Sequence, residues 1–197
     1  KAVGDAITGG RCVSVAGSAG SSTALLAGVL ANRTGRAVLL IVAHLDEADE
    51  AEMELASMGA RAILLPALEA LPGESGVSLD LFADRLAAVS AVPGWSGPGV
   101  IVAPIHALMQ AVPAPERLPS LTRMLTRGQA LAPGDLVRWL DAAGYSRANA
   151  AEEPGDYAVR GGIVDVFPPG EVLPPVRLDF LGDTLDRRSE IDIESMA

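Results

Sequence analysis

Three apolar runs constrain the fold of this chain more than any other feature: AVLLIVA at 37–43, AILLP at 62–66 and GVIVAP at 99–104. Each has strand length, and none alternates apolar with polar. Such runs suit strands buried on both faces, as in parallel sheets whose crossover helices lie on either side. Helical patterns fall between them. Ser22–Asn32 is apolar at Leu25, Leu26, Val29 and Leu30. Leu45–Met58 is acidic, Leu79–Val92 is apolar-rich, and Ile105–Val112 is short. Gly35 and Gly59 stop the first two, as residues that accept positive φ. A further strand, Val13–Ala16, precedes the first helix. Strands alternating with helices predict βαβ units and an α/β domain built on a parallel sheet.

The second half reads differently. PAPERLP at 113–119 is a proline-rich joint. After it the pattern predicts a strand at Leu121–Thr126 and a helix at Pro133–Ala143. Pro133 suits the first helical turn and Gly144 the stop. Tyr157–Phe167, Val176–Leu181 and Leu185–Ile193 follow as antiparallel strands. The expected division is an α/β domain over 1–113 and a small α+β domain over 114–197.

Charge narrows the function. Of 197 residues 49% are hydrophobic, and 15 basic residues face 25 acidic ones, for a net charge of −10. A chain this acidic is a poor match for broad contact with DNA phosphates, which needs a basic stripe, or for an anionic membrane surface. No run of 18 apolar residues suggests a membrane span. Cys12 is the single cysteine, which argues against a disulfide framework and for a reducing, cytoplasmic setting. The N-terminus has neither an initiator Met nor a basic-then-apolar leader, and the chain is expected to be a piece of something longer.

The stretch VAGSAGSSTALL at 15–26 sits where a phosphate-binding loop would lie, between a strand and a helix. A working loop reads G-x-x-x-x-G-K-[ST]: its Lys reaches the phosphates and its hydroxyl holds Mg²⁺. With Gly17 in first place, Ser22 replaces the second Gly, Thr23 the Lys and Ala24 the hydroxyl residue. Gly20 adds turn character only. Two readings follow: a plain strand-to-helix turn, or a nucleotide-binding fold that has lost its site. A rival enzyme reading keeps nucleotide bound through backbone N–H groups alone. His44 and His106 lack the companions of a metal or catalytic set. The run DEADEAEME at 46–54 is a solvated helix face, its leading acids suited to the helix N-terminus.

The stretch GDYAVRGGIVDVFPPGEVLPPVRLDFLGDTLD at 155–186 carries more. Strand alternation puts Leu178 and Phe180 on one face and Arg177, Asp179 and Leu181 on the other. Tyr157, Val159, Ile163 and Phe167 share a face if Gly161-Gly162 introduces no bulge, and Arg160 points opposite. Arginines on a rigid sheet beside an exposed apolar residue suit a protein interface. The alternative is that Arg160 and Arg177 only pair with Asp179, Asp183 or Asp186.

YAVRGGIVDVFPPG followed by PVRLDFLGDTLD resembles the segment shared by the excision repair protein UvrB and the transcription-repair coupling factors (Mfd). LLPALEALPGES (64–75) and VAPIHALMQAVP (102–113) are similar to matching pieces of the coupling factors, which usually have an aromatic residue where Leu68 stands. UvrB keeps an intact ATP loop; the missing Lys favours the coupling factors. The resemblance implies a RecA-like parallel-sheet domain with a degenerate phosphate loop, not expected to bind at Gly17, Gly20, Ser22 or Thr23, then an α+β domain with an antiparallel sheet. It implies recruitment of UvrA through Arg160, Arg177 and Leu181, the last in place of a more common Phe. It also implies a parent that is an ATP-dependent DNA translocase acting on stalled RNA polymerase and double-stranded DNA. ATP and Mg²⁺ would bind its absent motor domains, this stretch would hold no cofactor, and a C-terminal domain would mask the UvrA-binding surface.

Overall fold

A computed structural model describes residues 2–17, 20–69, 78–170 and 173–191. The elements in order are α1 (Ala2–Thr8), α2 (Ser21–Thr34), β1 (Ala37–Val42), α3 (Leu45–Ser57), β2 (Ala62–Leu64), α4 (Leu79–Ala91), β3 (Gly99–Pro104) and α5 (Ile105–Leu108). There follow α6 (Leu118–Leu121), α7 (Pro133–Ala142), β4 (Ser146–Arg147), β5 (Asp156–Arg160), β6 (Ile163–Val166), β7 (Val176–Leu181) and β8 (Thr184–Glu190). The chain separates into two compact units. One holds Lys1–Leu71 and Arg85–Val112, the other Pro72–Asp84 and Pro113–Ala197.

The first unit is α/β, with a parallel sheet in the order β1-β3-β2. The central β3 is buried as its composition requires: Val100, Val102 and Ala103 have no exposed surface. The core joins α2 and α3 to this sheet through Ala24, Ala27, Ala31, Ala48, Ala51, Leu55, Val100 and Val102. The buried face of α2 is thus the alanine face, whereas Leu25 and Val29 are about half exposed, against the expected leucine stripe. Close approach explains it. A Cβ on Gly28 would lie 3.2 Å from Leu55 Cδ2, so α2 packs its small residues against Leu55 of α3 and that face of α2 has no room for larger side chains.

Two further expectations fail in this unit. Residues 11–16 form no strand, and Val13 and Val15 are 38% and 50% exposed. Two valines hold a strand only where a neighbouring ladder accepts their backbone, and among the described residues 11–16 have no ladder partner. Nor is β1 buried on both faces: Leu39 and Ile41 are half exposed, because the core packs on the other face of the strand, through Val38, Leu40 and Val42.

The second unit carries a five-stranded sheet in the order β4-β5-β6-β7-β8. It is mixed rather than purely antiparallel, since the two-residue β4 runs parallel to β5. From β5 to β8 each strand pairs antiparallel with the next. The helix α7 lays Leu136 and Leu140 onto Leu131, Tyr157, Val164, Val166, Leu178 and Leu185. The expected strand at 121–126 is absent. Leu118–Leu121 is a helical turn with Pro119 in its first positions, and the following residues are irregular. A proline early in such a turn has the φ that a helix needs and no N–H for a ladder.

Candidate partner-binding face of the second unit

Gly161-Gly162 is a two-residue hairpin turn, with φ of 61° at Gly161, so 157–167 folds into β5 and β6 instead of one run. That fixes the faces. Tyr157 pairs with Val166 and Val159 with Val164, all toward α7, while Arg160 pairs with Ile163 and Ala158 with Asp165 on the reverse face. Ile163 therefore leaves the side of Tyr157 and Val159 and joins Arg160, which corrects the face expected from a single strand. Next door, Ile163 pairs with Asp179 and Asp165 with Arg177. Leu178 is buried and Phe180 packs on the same core, so Arg177, Asp179 and Leu181 turn to the reverse face.

Arg160, Arg177 and Leu181 thus lie on one face of three neighbouring strands. Leu181 is 77% exposed at the end of β7. Arg160 is exposed, and its Nη2 donates to the carbonyl of Asn149 at 2.9 Å. Arg177 is engaged differently. Its Nε donates to Asp165 Oδ1 at 2.7 Å and its Nη2 to Oδ2 at 2.8 Å, a planar two-point pair. The Asp165 side chain is 6% exposed and that of Arg177 36%. The hydrogen bonds and charge of Asp165 push the guanidinium pKa up, against the opposing effect of burial. None of the hydrogen bonds of Arg160 and Arg177 described here goes to Asp179, Asp183 or Asp186. Arg187, paired with Asp179 across β7–β8, adds an exposed cation to the same side. Between the pairs Asp179–Arg187 and Phe180–Leu185 the register slips, making Asp186 the extra residue of a bulge. The Asp186 carbonyl accepts from Arg127 Nε at 2.8 Å, so the bulge leaves it satisfied.

The sequence pattern missed Asp165 as the partner of Arg177. Its signal lay in the Gly-Gly turn: counting outward from a two-residue turn puts 158 opposite 165 and reveals the true face of Asp165. Arg85 was missed as well. It is 3% exposed, and it donates to the carbonyls of Pro66 at 2.6 Å, Ala107 at 3.0 Å and Gln110 at 3.3 Å. An arginine inside an apolar helix pattern was its only mark.

In the first unit the glycine turn leads into α2. Gly17 and Gly20 have φ of 83° and 53°, and Gly20 is the N-cap, with no side chain to cap the helix. Ser22 and Thr23 stand in the first helical turn, Ser22 exposed and Thr23 half-buried. Two residues of the turn, 18 and 19, lie outside the described residues, as does part of the 64–75 segment. The one lysine of the sequence is Lys1. His44 starts α3, where Glu47 Oε2 accepts its backbone N–H at 3.4 Å, and His106 is exposed on α5. No helix among the described residues is long and apolar enough to cross a membrane.

Comparison with known proteins agrees with this layout. The family described as UvrB interaction domain matches residues 124–197, which take in the whole of the β4–β8 sheet. The chain is 32% identical over 178 residues to the transcription-repair-coupling factor of Escherichia coli (strain K12), covering 89% of this chain and 15% of that protein. It is 30% identical over 175 residues to the transcription-repair-coupling factor of Bacillus subtilis (strain 168), covering 87% and 15%. Similarity to the UvrABC system protein B of Halalkalibacterium halodurans is 31% over 93 residues, covering 47% of this chain and 14% of that protein. The chain thus spans about 15% of the length of these coupling factors. With an α/β unit, a separate mixed-sheet unit and identity running over most of its length, the chain belongs to the transcription-repair-coupling factor family, as a segment that carries the UvrB interaction domain.

Proposed function

We propose that this chain recruits UvrA in transcription-coupled nucleotide excision repair, through the reverse face of the second unit and without nucleotide hydrolysis of its own. The observation that carries the reading is the common face of Arg160, Arg177 and Leu181, set by the register of β5, β6 and β7. Two guanidinium groups beside an exposed leucine match an acidic surface with an apolar spot at its centre. The α/β unit supports the non-hydrolytic half of the reading: with Gly17 in first place, Thr23 stands where the phosphate-binding lysine would be and Ala24 where the Mg²⁺-holding hydroxyl would be. In the whole protein, we infer an ATP-dependent DNA translocase that displaces stalled RNA polymerase, with ATP and Mg²⁺ held outside this sequence and a C-terminal domain masking the docking face.

Calorimetric titration with purified UvrA tests the docking. Saturable binding that an Arg160→Ala/Leu181→Ala variant loses supports it; no binding by the parent chain overturns it. Arg177 is left intact in this first test, because its truncation strands the buried Asp165 carboxylate at a cost of about 3–5 kcal/mol. Titration with ATP or ADP tests the other half, and saturable binding there would favour the nucleotide-binding reading instead.

A further inference from the structure

We propose that Asp165 is a positioning residue for docking: it fixes the Arg177 guanidinium so that one edge of the group stays open to a partner carboxylate. This rests on the docking reading above. A guanidinium presents five N–H donors in a rigid plane. Asp165 takes the side edge, made of Nε and Nη2, at 2.7 and 2.8 Å. The end edge, made of Nη1 and the second N–H of Nη2, is the one left for a second carboxylate in the same plane. Asp165 is placed to act from below. It lies on the central strand β6, opposite Ala158 on β5 and Arg177 on β7, and is 4% exposed where Arg177 is half-buried.

The arrangement has two effects. A long, flexible side chain is held in one geometry before the partner arrives, so less freedom is lost on binding. The buried carboxylate also offsets the charge of Arg177, which makes that arginine a directional donor more than a source of long-range attraction. Attraction of an acidic partner then falls to Arg160 and Arg187, the exposed cations of the same face.

The test is a set of calorimetric titrations of the whole chain with UvrA, with thermal melts as the fold control. Asp165→Asn keeps the shape and removes the charge and one acceptor pairing; it should weaken binding about tenfold. The same change should cost about tenfold in an Arg160→Ala background and nothing in an Arg177→Ala background, because its effect passes through Arg177 alone. Equal loss in all three backgrounds would show a merely structural role and overturn the proposal. So would unchanged affinity of Asp165→Asn where Arg177→Ala does lose binding; the docking reading would survive that result. If the parent chain fails to bind UvrA, both fall together. Should Asp165→Asn not fold, Arg177→Lys decides: it keeps the charge beside Asp165 without the planar end edge, and parental affinity would overturn the proposal.

Discussion

Tyr157 donates its hydroxyl proton to Asp141 Oδ1 at 2.6 Å, tying the first sheet hairpin to α7. The phenol is 1% exposed. Burial first, then the hydrogen bond and negative charge of Asp141, push its pKa up from the usual value. A raised pKa in the folded state means that the protonated phenol stabilises the fold. That contribution is whole below the unfolded pKa of about 10 and disappears as pH climbs through the higher folded value. Urea melts between pH 7 and 11 should therefore show an alkaline loss of stability that Tyr157→Phe reduces, at the expense of about 1 kcal/mol at neutral pH. A tyrosine absorbance titration with both tyrosines ionising near pH 10 would contradict this.

Arg85 collects three carbonyls, one from just beyond β2 and two from α5 and the residues that follow it, and burial lowers its pKa from the ordinary arginine value. Gln110 adds a reciprocal pair to the backbone N–H and carbonyl of Leu68, at 2.8 and 2.9 Å. Arg85→Met keeps the stem and strands the carbonyls. It should destabilise the first unit by about 3 kcal/mol, read from urea midpoints. A midpoint shift worth less than about 1 kcal/mol would show that water replaces the guanidinium freely.

Gly99 is held by contact and by its backbone, with φ of 159°. A Cβ there would lie 2.1 Å from Trp95 Cζ2 and 3.0 Å from the Arg61 carbonyl. Arg61 in turn stacks over the Trp95 ring, 3.8 Å from its centroid. Gly99→Ala has to displace the indole and should cost about 2 kcal/mol or more. Carrying Trp139→Phe in both samples isolates the Trp95 emission, which should shift to the red as the ring leaves its seat. An unchanged spectrum and midpoint would refute the contact.

Under the proposed docking, a change at Leu181 should touch binding and spare the fold. At 77% exposure its replacement should leave the melting midpoint within about 0.5 kcal/mol of the parent. Leu181→Glu should weaken UvrA binding at least tenfold, by roughly 1.4 kcal/mol or more, through lost apolar contact and repulsion from an acidic partner. Leu181→Phe should tighten it about threefold by adding buried area. Surface plasmon resonance on the three proteins reads all of this, and indifference to both substitutions would remove Leu181 from the interface.

The sequence made the framework legible where composition and turn chemistry agreed. GVIVAP predicted a buried strand, which is the central one of its sheet, and the glycines after α2 and α3 marked their ends. Alternation in VRLDFL placed Arg177 and Leu181 together. It was misleading where packing chose among apolar residues. Period alone ranks Leu25 and Val29 above Ala24 and Gly28, yet close helix packing selects the small ones. The valines of 11–16 have strand propensity without a partner. The Arg177–Asp165 pair required two facts that no single stretch carries: a tight turn at Gly161-Gly162, and a register across the long connection from β6 to β7.

The order in which strands pair has a consequence for how the chain assembles. In the second unit β5, β6 and β7 each meet the next strand along the chain, so those pairings close short loops, the kind that form early. In the first unit Ala37 must wait for Gly99, since β1 pairs with nothing but β3 among the described strands. A ribosome extrudes β1 long before its neighbour exists. During that interval AVLLIV is an unpaired apolar edge, rich in β-branched residues and free of charge, the kind of segment that pairs with other chains unless it is shielded.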